Sequence, residues 1–325
     1  MVRRAVVLMN LGGPDSPSAV RPFLYNLFRD PAIITLPTML RVPLAWVIAA
    51  RRAKTAGEIY EYLGGGSPLL PNTEAQASAL QATLGSEYRC FVAMRYWHPL
   101  TAATVTQVQE WKPDEVILLP LYPQFSTTTT ASSFRAWHAE AARQGLSAPT
   151  REIRSYPTAS GLIAALVANI EAGLASLRDR PFRLLLSAHG LPLKIVAAGD
   201  PYPEEVRATA QAIVAALPFP VDWTVCYQSR VGPLAWLGPS VDDELRRAAC
   251  DGIGVVIAPI AFVSEHSETL VELDRDYRRV AEELHIPFYE RIPTVGANPR
   301  FIAALAAQIT GDVDAEAVAM AAAYR

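Results

Sequence analysis

The sequence predicts an α/β protein made of two similar halves, each a parallel sheet flanked by helices. Two observations predict it. Short apolar runs alternate with stretches of helical length and period along the 325 residues, the pattern of strands joined by crossover helices. The runs also recur as three pairs in the same order: AVVLMNLGGP (5–14) with RLLLSAHGLP (183–192), CFVAMRYWHP (90–99) with WTVCYQSRVGP (223–233), and EVILLPLYPQFS (115–126) with GVVIAPIAFVS (254–264). Each run ends in polar, glycine and proline residues, as a buried strand does where it meets a loop.

The elements follow in chain order. VRRAVVLMN enters the first strand directly, with no cleavage site, so no leader is expected. Residues 31–50, PAIITLPTMLRVPLAWVIAA, are long enough by count to span a bilayer. Pro31, Pro37, Pro43 and Arg41 interrupt them, so a broken apolar flap is predicted instead. Three roles stay open for it: lining an oily pocket, touching a membrane surface, or packing in the core. Helices are predicted over 73–85, 162–179, 204–218 and 268–284. The polar stretch GLSAPTREIRSYPTAS (145–160) marks the boundary, giving a first half at 1–160 that carries the flap and a second at 161–299. The alanine-rich FIAALAAQI (301–309) and AEAVAMAAA (315–323) read as helices, and residues 300–325 are expected to pack back onto the first half.

Composition narrows the function. Hydrophobic residues make up 51% of the chain and the net charge is −3, with no basic block, which argues against nucleic acid as a partner. Cys90, Cys226 and Cys250 are scattered and form no CxxC pair, so reduced thiols in the cytoplasm are expected and no structural zinc. LGGP (11–14) and YLGGGSP (62–68) lack the spacing of a nucleotide site and read as glycine-permitted turns.

Two strand ends carry candidate chemistry. His189 stands where FRLLLSAHGLP (182–192) leaves its strand, and ligands of open parallel sheets sit beyond the carboxyl ends of strands. VVIAPIAFVSEHSET (255–269) delivers Glu265, His266 and Glu268 in the same way. An imidazole with several carboxylates suits proton transfer or metal handling. Glu265, Glu268, Glu272 and Asp276 fall at i, i+3, i+7 and i+11, one face of an α-helix. A solvated acidic face and a path for cations or protons both fit that spacing. His266 does not share a helix face with Glu268 and reads as structural. His98, His138 and His285 have no partner spacing and receive no role.

Eight segments together resemble the ferrochelatase family, enzymes that insert ferrous iron into a porphyrin: LMNLGGPDSP (8–17), GGGSPL (64–69), MRYWHPLT (94–101), LYPQFSTTTTASS (121–133), SAHGLP (187–192), GDPYPEEV (199–206), YQSRVGPLAWLGPSVDDEL (227–245) and PIAFVSEHSETLVELD (259–274). They span nearly the whole chain. The resemblance implies the chelatase fold: two Rossmann-like halves, each with a four-stranded parallel sheet, around a porphyrin cleft. It implies His189 as proton acceptor or metal ligand and Glu268 as metal ligand. Glu265, Glu272 and Asp276 would form an acidic path for iron entry or proton exit. Leu11, Arg52, Tyr60, Ser67, Arg95, Tyr96, Tyr122 and Trp236 would contact the porphyrin, with Arg52, beside Arg51, paired to a propionate. The implied partners are protoporphyrin IX and Fe2+, both substrates, with release of two protons to give protohaem, the last step of haem biosynthesis. The iron donor and any upstream oxidase stay unidentified. No cofactor is permanently bound by this reading. No cysteine follows Cys250, and Thr127 stands where animal-type members carry a cluster cysteine, so no iron–sulfur cluster is expected. Glu61 and Tyr62 replace two basic residues common in those members. The expected location is the cytoplasm, with peripheral contact at the inner membrane face through 31–50. Iron insertion into coproporphyrin III, a cobalt or nickel chelatase acting on a sirohydrochlorin-type ring, and a non-catalytic haem or porphyrin carrier are the alternatives. A periplasmic-type sugar or ion binder fits poorly without a leader.

Overall fold

The first apolar run forms β1, Arg4–Asn10, and its residues Ala5 to Leu8 are fully buried. Its neighbours in order are β2 (Tyr88–Met94), β3 (Glu115–Pro120) and β4 (Thr150–Glu152). The computed structural model describes residues 2–311 except 176, 178, 179, 231 and 233. All pairings in this sheet are parallel, in the order β2-β1-β3-β4. Ala5, Val7 and Met9 alternate onto the face covered by α4 (Thr101–Trp111) and α5 (Thr130–Gln144), where Val105, Val108, Phe134 and Trp137 close the core. α1 (Val20–Phe28), α2 (Thr38–Tyr62) and α3 (Leu69–Thr83) precede β2.

The second sheet repeats the first. β5 (Phe182–His189), β6 (Asp222–Gln228), β7 (Gly254–Pro259) and β8 (Tyr289–Arg291) run parallel in the order β6-β5-β7-β8. α6 (Ser160–Leu174) leads in, α7 (Leu193–Ala197) and α8 (Tyr202–Ala216) connect β5 to β6, and α9 (Val241–Asp251) connects β6 to β7. Ser240 starts α9 with a capping box closed by Asp243. Described residues up to Ser155, with those from Leu305, form one compact unit, and Tyr156–Ala304 form the other. α11 (Pro299–Thr310) contributes residues to both. The helix predicted over 315–323 lies outside the described residues.

Two sequence expectations need correction. The flap is not broken from Thr38 onward, because α2 runs through Pro43. Pro43 sits only five residues in, where few intrahelical bonds are at stake. Arg41, expected to disrupt the segment, ties the helix entry down by donating to the carbonyls of Arg29 (2.8 Å) and Leu36 and to Thr38 Oγ1 (3.1 Å). The single helix expected over 268–284 is two elements: a π-helical segment, Glu268–Asp276, followed by α10, Tyr277–Glu283.

Candidate active site

β5 carries His189 to its carboxyl end, and the π-helical segment that follows β7 brings Glu268 against it. Imidazole Nδ1 lies 2.8 Å from Glu268 Oε2. The side chains keep 42% and 25% of their surface exposed, so the pair is crowded by protein yet open on one side. Burial alone would lower the histidine's pKa, but the carboxylates of Glu268 and then Glu272 outweigh it and hold the imidazole above its ordinary value. Burial likewise opposes the charge on Glu268, yet His189 brings that carboxyl down to about 2. Each member of the pair therefore favours the charged form of the other.

Behind it, the end of β6 supplies donors that sequence reasoning did not single out. Gln228 Nε2 donates to the Glu268 carbonyl (2.9 Å) and to Glu272 Oε2 (3.2 Å). Ser187 Oγ donates to Gln228 Oε1 (2.6 Å), which orients the amide. The Ser229 N–H donates to Glu272 Oε1 at 2.7 Å, and its hydroxyl reaches both Glu272 and Glu268. Glu272 shifts the opposite way from Glu268: burial, and then the Glu268 charge beside it, raise its pKa. Gly190 continues from His189, and a Cβ there would stand 2.8 Å from the Gln228 carbonyl and 3.3 Å from the Trp236 ring. The missing side chain lets Trp236 seat beside the histidine strand end.

The other predicted carboxylates take different partners. Glu265 precedes the π-helical segment, where Arg291 donates to it at 2.6 Å and the Thr294 N–H at 3.0 Å. Asp276 ends the segment and accepts from Arg275 at 2.8 Å. A π-helix closes i→i+5 bonds and turns less per residue than an α-helix, so the α-spacing that grouped all four does not apply. It is Glu268 and Glu272, four apart, that converge on Ser229. His266 is 8% exposed, with Nδ1 3.0 Å from the Ser264 carbonyl, a structural position.

In the first unit, Leu11, Tyr60 and Tyr96 share an apolar cluster with Phe23, Leu24 and Ala49. Tyr96 is only 1% exposed and donates its hydroxyl to Asp30 Oδ2 at 2.8 Å. Arg95 donates to the same carboxylate oxygen at 2.6 Å and to Ser132 Oγ at 2.9 Å. Asp30, which the sequence did not flag, organises this corner. Tyr122 is half-buried, and burial raises its phenol pKa. Ser67 presses so closely on Gly13 that a Cβ there would stand 2.5 Å from it. Arg52 is exposed, its guanidinium 5.7 Å from the Phe28 ring centroid. A cavity of about 930 Å³ beside β2, lined by residues that include Leu70, Phe91, His98 and Trp111, contains none of these side chains.

Among the described residues no group of three or more His, Cys, Asp or Glu side chains is arranged to hold a metal ion. The ferrochelatase family model matches residues 3–312. The ferrochelatase of Caulobacter vibrioides (strain NA1000 / CB15N) is 55% identical over 315 residues, covering 95% of this chain and 90% of that protein. That of Phenylobacterium zucineum is 53% identical over 323 residues, covering 96% and 92%. The chain belongs to the ferrochelatase family. It is accordingly a lyase-type chelatase that inserts iron into a tetrapyrrole. The fold extends to a more distant solved structure, SirB from Bacillus subtilis with Fe3+, at a TM-score of 0.58 and 12% identity over 95% of each chain. As a ferrochelatase-family member, this protein carries its imidazole–carboxylate pair on the strand end and helical segment described above.

Proposed function

We propose that the protein inserts Fe2+ into protoporphyrin IX, with His189 and Glu268 acting directly on the metal and the pyrrole protons. The observation that carries this reading is the 2.8 Å imidazole–carboxylate contact, open on one side and buttressed on the other. Inserting a divalent ion displaces two pyrrole protons, so the reaction needs a base beside a weak oxygen or nitrogen donor. Glu268 is ionised at rest and suits the metal. Once Glu268 turns to the metal it no longer favours the imidazolium, so His189 sheds any proton it holds toward solvent, takes the two pyrrole protons in turn and passes each on through the acidic path. Glu272 and, farther off, Glu265 and Asp276 are the acidic path of this reading. Leu11, Arg52, Tyr60, Ser67, Arg95, Tyr96, Tyr122 and Trp236 are its porphyrin contacts. Because Tyr96 and Tyr60 are buried in the first unit's core, their part is to shape the contact surface.

Protoporphyrin is favoured over more carboxylated rings by the apolar character of α2. Met39 is 88% exposed, and Leu40, Leu44, Trp46 and Val47 are exposed beside it. The same face supports peripheral contact with a lipid surface, through which an apolar substrate and product would pass. No helix among the described residues is long and apolar enough to cross a membrane. The three free thiols fit a reducing compartment, and we place the protein in the cytoplasm.

Anaerobic absorbance changes on mixing the protein with Fe2+ and, separately, protoporphyrin IX, coproporphyrin III and sirohydrochlorin test the assignment. Fastest turnover with protoporphyrin IX is expected. Preference for either of the other rings would overturn the substrate, and binding of a ring without insertion would overturn catalysis in favour of a carrier.

A further inference from the structure

Three non-glycine residues among those described have left-handed backbone: Lys112, Ser229 and His285. Lys112 is the C-cap of α4 and His285 follows the C-cap of α10, places where chains leave a helix this way. Ser229 ends no helix. It follows the last residue of β6, with φ of 62°. A serine pays a steric cost there that glycine would avoid, and such cost gathers at functional sites.

The conformation has a visible consequence. It turns the Ser229 amide and hydroxyl toward the same side, so that both meet Glu272, at 2.7 Å to Oε1 and 2.5 Å to Oε2. The hydroxyl also lies 3.3 Å from Glu268 Oε2, the same oxygen that lies 2.8 Å from His189 Nδ1. A hydroxyl has one proton to give. At these distances it goes to Glu272 and leaves Glu268 to the imidazole. Gln228 Nε2 adds bonds to the Glu268 carbonyl and to Glu272, which fix the π-helical backbone that carries both carboxylates. Carboxylates four residues apart repel whenever both are ionised, and these donors offset that repulsion.

We infer that Ser229 is a positioning residue for metal insertion: its hydroxyl and amide together set the Glu268 and Glu272 carboxylates in register behind His189. The inference rests on the proposed roles of His189 and Glu268. It concerns neither ring binding nor folding, so it separates the parameters that a purely structural serine would move together.

The test compares Ser229→Gly and Ser229→Ala with the wild type and with Glu268→Gln, using Zn2+ and Fe2+ insertion into protoporphyrin under anaerobic conditions. Glycine adopts positive φ freely, so Ser229→Gly keeps the backbone path and amide donor and loses only the hydroxyl. Its melting temperature should equal or exceed that of the wild type. Its kcat should nevertheless fall by about tenfold or more, with KM for the porphyrin within about twofold, the mark of an interaction that matters after the ring has bound. Ser229→Ala should lose kcat to a similar degree and melt below Ser229→Gly, because its Cβ keeps the steric cost at this φ that glycine escapes. Full kcat in Ser229→Gly, or a raised KM with unchanged kcat, overturns the positioning role. If Glu268→Gln is itself fully active, the site assignment fails first, and that failure is read independently of Ser229.

Discussion

His189 and Glu268 each favour the charged form of the other, and that mutual dependence sets what substitution does. In Glu268→Gln the amide keeps the shape but cannot hold the imidazole protonated or bind a cation as a carboxylate does. Turnover should collapse by about a hundredfold or more. Porphyrin affinity should stay within about tenfold, about 1.4 kcal/mol, measured by fluorescence titration. Equal loss of both quantities would mean that Glu268 binds the ring and does not act on the metal. At this scale the sequence was partly legible. A histidine and a glutamate at matching strand ends could be picked out because strand ends are where parallel sheets expose side chains. Asp30 could not. Its partners Arg95, Tyr96 and Ser132 lie 65, 66 and 102 residues away, and nothing local in the chain marks a carboxylate that three donors share.

The π-helical segment is the element on which the site depends, and it was invisible in the sequence, because acidic residues at α-helical spacing suggest an α-helix. Only tertiary contacts reveal why it winds differently. Gln228 and Ser229 hold it from one side. From β8, Tyr289 donates to the Leu273 carbonyl at 2.7 Å, while Arg291 bridges Glu265 and Asp274 at 2.6 and 3.1 Å. Arg291 is 11% exposed, so Arg291→Met would remove the cation shared by two half-buried carboxylates, leaving Asp274 to Arg278 at 2.9 Å and Glu265 without its guanidinium. That should cost about 2–3 kcal/mol of stability by denaturant unfolding, less than for a fully buried pair because the carboxylates are partly solvated and Asp274 keeps Arg278. A loss under about 1 kcal/mol would show that the ion pairs add little to the element. α2 makes the opposite case, since its apolar content was plain in the sequence but its continuity through Pro43 was not. Leu40 and Val47 are exposed, so Leu40→Glu with Val47→Glu should leave the melting temperature nearly unchanged. Co-sedimentation with anionic lipid vesicles should drop by about tenfold if this face meets lipid. Unaltered sedimentation would remove the lipid contact.

Across the whole molecule, the duplicated order β2-β1-β3-β4 and β6-β5-β7-β8 was legible in its first three pairs. The fourth strand of each unit is three residues long, Thr150–Glu152 and Tyr289–Arg291, too short to carry a period, and only the family resemblance supplied it. Both units hold carboxylates of lowered pKa, and the second adds groups whose pKa is raised, which gives stability a shape against pH. In the first unit, burial opposes the Asp30 charge, but Ser132, the Ala32 N–H, Arg95 and Tyr96 outweigh it and lower its pKa from 3.8. In the second, Asp274 is lowered despite burial by Arg278 and Arg291, and Glu268 falls to about 2. Stability from these carboxylates is present above their ordinary values and lost as pH falls through the folded ones. His189, raised above 6.5 by Glu268 and Glu272 against the effect of burial, contributes stability that is complete below 6.5 and lost as pH rises through its folded value. Glu272, raised by burial and by Glu268, binds its proton more tightly when folded, so its contribution is complete below 4.5 and lost as pH rises through its folded value. The melting temperature should therefore peak near 4.5, decline as pH rises through the folded value of Glu272, decline further above 6.5 as His189 titrates, and fall on the acid side as well. Asp30→Asn should lower the whole curve, because an amide cannot accept from Arg95, Tyr96 and Ser132 as the carboxylate does. It should also flatten the acid side while the alkaline decline keeps its slope. An acid limb as steep in Asp30→Asn as in the wild type would locate the acid sensitivity in the second unit's carboxylates instead.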